Sequence, residues 1–295
     1  MGWGTRLAVT FFWLVMMGWL VVEKVLPPLL VGEPPSYKQI VAELDQEATE
    51  PKPVVWQLRW NGRPVGQSRS EWQRRDDEST QLFSTVRLDE LPLVDLAPRW
   101  LSSALAELGA TGQGFHAEIR SVCEIDPLGE LMGFDTTVGL GLDPHAVVIS
   151  GEVVGRNLEV VVHVGDLRYH ADRYLPPDSL VADTFSPYTR LPNLRVGQQW
   201  TQPVYSPFRP PYSPLVVLHA CVEQTEEIEW NGQEVETHVV VYRSDEGTSV
   251  GSAGNQQGRV WVDMQGTVLR QELPVMDSRL TFERLSETER PSKPE

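Results

Sequence analysis

Several kinds of chemistry are missing from this sequence. Its 295 residues contain two cysteines, Cys123 and Cys221, and neither belongs to a C-x-x-C pair. That excludes zinc ribbons and thioredoxin-like redox motifs. An oxidising compartment would permit a bridge between them; two strand thiols acting as small hydrophobes is the alternative. No G-x-S-x-G or S-x-x-K supplies a serine nucleophile. Basic residues are also scarce, 25 Lys and Arg against 41 Asp and Glu, for a net charge of −16. The charges within the first thirty residues are Arg6, Glu23 and Lys24, so the acidity belongs to the remainder of the chain. A domain this acidic, without a basic stripe, repels phosphate backbones, and nucleic acid is not an expected partner.

Long apolar runs are rare as well, with one exception. Leu7 to Val22 carries no charge, and after Glu23-Lys24 the stretch resumes as Val25-Leu-Pro-Pro-Leu-Leu-Val31. Its length falls a little short of the roughly 20 residues that span a bilayer, but the two charges sit at its end, where their stems can reach the interface. The run predicts a single transmembrane helix, with residues 7–26 in the membrane. Small residues for a signal-peptidase site are absent after it, so the segment is expected to stay as an anchor. Arg6 and the amino terminus precede it, which places the N-terminus in the cytoplasm and the C-terminal domain outside, in the periplasm if the cell is bacterial. The expected organisation is an anchor over 1–31, a tether over 32–53, a β-domain over 54–285 and a disordered tail over 286–295.

Beyond the tether, period-two patterns and turn signals dominate. Val54 to Trp60 alternates, with Trp56, Leu58 and Trp60 on one face, and meets Asn61-Gly62. Asn231-Gly232 sits inside Leu215–Arg243 and predicts a type I′ hairpin, because both residues tolerate positive φ. Counting outward pairs Trp230 with Gln233, Ile228 with Val235, Glu227 with Glu236, Thr225 with His238 and Val222 with Val241, which puts the apolar residues on one side. Asp126-Pro-Leu-Gly129 predicts a second turn, pairing Cys123 with Met132 and Ser121 with Phe134. Further ladders are expected over Val147–Val164 and Arg259–Leu273, with a last strand from Ser278 to Leu285. One helix is expected in this domain, Ala97 to Leu108. Trp60-Asn-Gly62 recurs as Trp230-Asn-Gly232, a hint of two related halves.

Trp56-Gln-Leu-Arg-Trp-Asn-Gly62 running into Val65-Gly66, and Leu194-Arg-Val-Gly197, resemble the opening strands of uncharacterised exported β-proteins. Arg259-Val-Trp-Val-Asp263, Gly266 and Val268-Leu-Arg-Gln-Glu272 resemble the late hairpin of periplasmic lipoprotein carriers. The resemblance implies a mainly β fold, an antiparallel sheet wrapped into a half-open barrel with one short helix at its mouth. In the carriers that interior takes acyl chains.

Candidate sites divide in two. Arg168, His170 and Asp172 share one face of an extended segment, and His170 with Asp172 could serve as a base pair or as metal ligands. A metal wants three or more convergent ligands, and the spacing offers two. Glu223, Glu226, Glu227 and Glu229 lie along one hairpin arm without a D-x-D-x-D-G loop, as an exposed face does. Val250-Gly-Ser-Ala-Gly254 lacks a lysine and a following helix. No catalytic residue, metal site or cofactor is therefore expected. The other group is aromatic: Tyr188, Trp200, Tyr205, Phe208 and Tyr212 gather in and beside the Pro-rich stretch 175–214, where they could line an apolar mouth. The sequence thus points to a non-enzymatic envelope protein that binds a lipid or acyl chain, or a membrane protein partner. A structural or assembly subunit is the first alternative, and a hydrolase or metal protein at His170 and Asp172 the second.

Overall fold

A computed structural model of the chain describes residues 3–20, 37–38, 52–89, 116–141, 143–176, 179–181, 187–206, 214–244, 256–275 and 278–286. The expected helix at 97–108, the Gly-rich segment 250–254, Phe208 and Tyr212 lie outside the described residues.

Helix α1 spans Trp3–Leu20. Eighteen residues rise about 27 Å, short of a hydrocarbon core of about 30 Å. Among the described residues no helix is long and apolar enough to cross a membrane. The expected span over 7–26 thus differs from what is described: the helix starts earlier and takes in Arg6, while the apolar residues beyond Leu20 lie outside the described set. The apolar side chains from Phe11 to Leu20 are all exposed.

The other named elements among the described residues are strands. In chain order these are β1 (Val54–Trp60), β2 (Arg63–Arg74), β3 (Thr80–Leu88), β4 (Ala117–Ile125), β5 (Leu131–Leu140), β6 (Asp143–Val154), β7 (Asn157–Val164) and β8 (Leu167–Tyr174). After them come β9 (Leu180–Val181), β10 (Gln199–Tyr205), β11 (Leu215–Trp230), β12 (Gln233–Ser244), β13 (Gln256–Asp263), β14 (Val268–Val275) and β15 (Ser278–Arg284). All fifteen belong to one sheet, ordered β8-β7-β6-β5-β4-β3-β2-β1-β15-β14-β13-β12-β11-β10-β9. Every neighbouring pair is antiparallel except β9 and β10, which run parallel and depart from the purely antiparallel expectation.

That order has a geometric consequence. Tyr174 ends one edge strand and Leu180 begins the other, six positions later. Laid flat, fifteen strands would hold their edges roughly 65 Å apart, whereas six residues reach about 20 Å. The sheet has to roll until its edges are near each other, yet among the described residues no hydrogen-bonded ladder joins β8 to β9. It is an open, barrel-like roll. Phe134 on β5 and Tyr205 on β10, with nine strands between them in the sheet order, have ring centres 5.8 Å apart.

Turn chemistry fixes the hairpins. Asn61-Gly62 and Asn231-Gly232 all have positive φ, between 48° and 83°, as type I′ turns require. Asp126 and Asp263 start identical turns. In each the Asp N–H bonds to the carbonyl four residues on, and the Gly at the fourth position donates back to the Asp carbonyl. The Asp side chains accept two further backbone N–H groups each. The turn at Asp126 therefore extends to Glu130, and a bulge follows at Met132. Cys123 consequently pairs with Phe134 and Ser121 with Thr136, two residues beyond the expected register.

A second bulge, at Glu223, corrects the β11–β12 expectation. Near the turn the register is as counted, Ile228 opposite Val235 and Thr225 opposite His238, but Val222 pairs with Val240 rather than Val241. The extra residue switches faces. Val222 and Val240 point into the roll, whereas Ile228, Val239 and Val241 form an outer cluster with Trp261 and Leu269. Trp230 packs on that cluster and donates its indole N–H to the carbonyl of Arg284, 2.9 Å away, which ties the hairpin tip to β15.

The main core lines the inside of the roll, with Trp56, Leu58, Leu88, Ile125, Ile149, Leu158, Leu280 and Phe282 fully buried. The two cysteines are not bridged to each other. Cys123 faces this interior, whereas Cys221 lies between the inward-facing Ala220 and Val222 and so points out, which is why they do not bridge.

Candidate functional site

Alternation along each strand decides what faces the interior, and β10, β11 and β12 contribute one continuous row. Trp200 pairs with Ala220, and Ala220 with Tyr242. Trp200 meets Tyr242 edge-on at 6.2 Å, and Tyr188 stacks on Tyr242 at 5.7 Å with 14° between the planes. The Tyr188 N–H bonds to the side-chain oxygen of Gln271 on β14, which sets the ring's position. Across the roll, β2 to β5 carry a row of buried hydroxyls: Ser70, Ser84, Ser121 and Thr136, each directly opposite the next. The last two bond at 3.1 Å.

Tyr37 completes the enclosure. It belongs to the segment expected to be a tether, yet it is buried in the core, and its hydroxyl accepts the N–H of Val181 on the edge strand β9. Its neighbour Lys38 pairs with Glu130 at 2.6 Å, beside Gly129 in the β4–β5 turn. Two residues thus connect one edge of the sheet to a distant hairpin. Nothing in the alternation of 33–53 marks Tyr37; a lone tyrosine between Pro-bearing flanks was the available signal.

Burial dominates the electrostatics of the tyrosines in this interior. Burial pushes the Tyr188 hydroxyl up to about 12. Tyr242 is raised well above the ordinary phenol value, by burial first and then by Tyr188. Tyr37 is raised well above it too, by burial and then by the Cys123 thiol, while the Val181 N–H pulls the other way. Arg284 enters from β15, stacks over Trp56 at 6.0 Å, and donates to the carbonyls of Thr189 and Val268.

Of the aromatic residues expected to line a mouth, Tyr188 and Trp200 meet on Tyr242. Tyr205 is buried against Phe134 instead, with Arg173 and Tyr169 of β8 close enough to affect its hydroxyl. Sequence reasoning missed Tyr242 itself. Its signal was the run Val239-Val-Val-Tyr242, apolar at every position, which marks a strand covered on both faces.

The polar candidates do not converge. Arg168, His170 and Asp172 are exposed on β8, where Ala171 alone is buried. Among the described residues no group of three His, Cys, Asp or Glu could hold a metal ion. Glu223 pairs with Arg243, and Glu226 accepts the Trp261 indole N–H at 3.3 Å. Two open cavities carry charged side chains. One, of about 460 Å³, is lined by Arg190, Asn193, His238 and Asp263. The other, about 640 Å³ on the outside of β1, β15 and β14, holds Arg59 and Arg270 on Glu283 and Arg279 on Glu272.

No family model matches the sequence, and no curated protein matches it. Among solved structures, the chain is similar to a beta-barrel-like protein of a domain of unknown function, DUF1849, from Brucella abortus. Identity is 9%, coverage is 79% of this chain and 95% of that one, and the TM-score is 0.44. It is also similar to the hypothetical lipoprotein YmcC from Escherichia coli, at 9% identity, covering 86% of this chain and 98% of that one, with a TM-score of 0.27.

Proposed function

We propose that this is a non-enzymatic, extracytoplasmic β-domain, held at the membrane by α1, that takes an apolar ligand into its rolled sheet. The observation that carries the reading is the convergence of Trp200, Tyr188 and Tyr242 inside an open roll, where burial alone sets the hydroxyl environment of Tyr188. Aromatic surface that could have pinned a Pro-rich loop from outside instead lines the interior, near the edge strand β9. Helix α1 supports the membrane side of the proposal. From Phe11 to Leu20 its apolar side chains occupy every face and all are exposed, the pattern of a helix meant for an apolar surrounding rather than for one groove. Arg6 ahead of the apolar stretch orients the domain outward.

The test is lipid extraction from the purified full-length chain followed by mass spectrometry. Wild type and His170→Ala should carry an acyl-bearing lipid, and a Trp200→Ala variant that retains its strand signal in circular dichroism should lose it. A wild-type protein with no lipid above a detergent-only control would remove the proposal. One observation favours a second reading, a structural or assembly subunit: Tyr37 and Phe134 already fill the interior closely. That reading predicts no bound lipid in any variant.

A further inference from the structure

Trp200 and Tyr242 are each 4% exposed. The indole N–H of the first and the hydroxyl of the second have no hydrogen-bond partner among the described residues. A buried donor left unpaired is strongly unfavourable, and each one calls for a cause. Here two stand in the same row of the sheet, with the small Ala220 between them in register. We infer that Trp200 and Tyr242 form the polar end of a ligand site inside the roll, one that takes an uncharged acceptor oxygen, the carbonyl of an ester or amide, attached to an apolar body. The inference rests on the proposed function and names the chemistry of its ligand.

Three alternatives are weaker on physical grounds. A pure hydrocarbon would leave both donors unpaired. A donor group would meet an indole N–H that can only donate. A carboxylate or phosphate would be buried without countercharge. Burial and another tyrosine raise the Tyr242 hydroxyl, burial alone raises Tyr188, and no cation contributes at either. Arg284, the arginine that enters the interior near Thr189, is already engaged on two carbonyls and the Trp56 ring. What remains is a neutral acceptor, whose apolar body would lie against the Tyr188–Tyr242 ring pair.

The experiment compares monopalmitin, palmitate and hexadecane, each radiolabelled, for retention by the full-length chain in dodecyl maltoside. Wild type and variants are measured at one micelle concentration, so partition into detergent cancels. Tyr242→Phe should weaken monopalmitin about 3- to 10-fold, the range of one neutral hydrogen bond, and leave hexadecane unchanged. Trp200→Phe should act in the same direction. In wild type palmitate should bind no more tightly than monopalmitin. Equal losses for both probes, no loss, or a preference for palmitate would overturn the inference while leaving apolar binding in place. Retention of none of the three by wild type would remove the proposed function, and this inference with it. A further readout guards against a structural role: ligand-free Tyr242→Phe should melt no lower than wild type, since it loses an unpaired group. A lower melting temperature would mean that the hydroxyl serves the fold, which also overturns the assignment.

Discussion

Phe134 on β5 lies directly across from Gly151 on β6, and a β-carbon on Gly151 would run into the Phe134 ring. The ring lies over the place where a side chain is missing and reaches Tyr205 on the far side of the roll. Gly151→Ala should therefore destabilise the domain by about 1–3 kcal/mol through overpacking. Phe134→Ala should cost about 3–5 kcal/mol by leaving a cavity. Urea denaturation of both variants checks this. A neutral Gly151→Ala would mean that the ring does not cover that glycine.

Much of this fold was legible because its turns are written locally. Asn61-Gly62, Asn231-Gly232, Asp126–Gly129 and Asp263–Gly266 all sit where residue types demanded, and β1 buries Trp56 and Leu58 as its alternation required. The bulges at Glu223 and Met132 were not legible. They depend on what the two faces of the sheet must cover: the outer cluster around Trp261 gathers side chains from four successive strands, β11 to β14, and no single strand's alternation shows it. Shifting a register by one residue reverses every side chain, so missing the Glu223 bulge put Ile228 on the wrong face. The site was half legible. Tyr188 and Trp200 stood out in a stretch without strand periodicity, whereas Tyr242 hid within a strand and Tyr37 within an expected tether.

The β2–β3 turn repeats the geometry of the Asp126 and Asp263 turns: Arg75 N–H bonds to the Ser79 carbonyl and Glu78 N–H to the Arg75 carbonyl. Glu78 sits where those turns have glycine, at φ 65°. Glycine accepts that region without strain, and its greater freedom in the unfolded chain offsets part of the gain. Glu78→Gly should stabilise the domain by about 0.5–1 kcal/mol in thermal melts, and a loss of stability would contradict the shared turn.

At the β11–β12 turn the opposite exchange applies. A β-carbon on Gly232 meets nothing within 4 Å, so only its φ of 72° resists substitution. Gly232→Val should cost about 1–3 kcal/mol, all of it backbone strain. Gly232→Asn, a residue that tolerates positive φ, should cost clearly less in the same melts. Equal losses for the two variants would point to a packing effect instead.

Alkali should unfold the domain through the tyrosines that pack in its interior. Tyr188 is raised to about 12, and Tyr37 and Tyr242 are raised well above the ordinary value of 10.0. Below pH 10 the neutral phenols are common to both states and their contribution is fully present. Above it the unfolded chain releases protons that the folded chain keeps, so stability falls as pH rises toward the folded values, by up to about 1.4 kcal/mol per pH unit per tyrosine. Urea midpoints should drop steeply between about pH 10 and 12. Phenolate absorbance from these residues should appear together with loss of structure. Ionisation of all tyrosines in a still-folded chain would contradict their burial.

Photo-cross-linking shows whether an apolar ligand sits in the interior of the roll. A monoacylglycerol with a diazirine on its acyl chain is bound to the full-length protein and irradiated, and the labelled residues are identified by peptide mass spectrometry. Labels are expected on the inward-facing residues around Trp200, Ala220 and Tyr242, removed by competing unlabelled monoacylglycerol. Labels confined to α1 or to the outer cluster around Trp261, unaffected by competitor, would contradict an interior site.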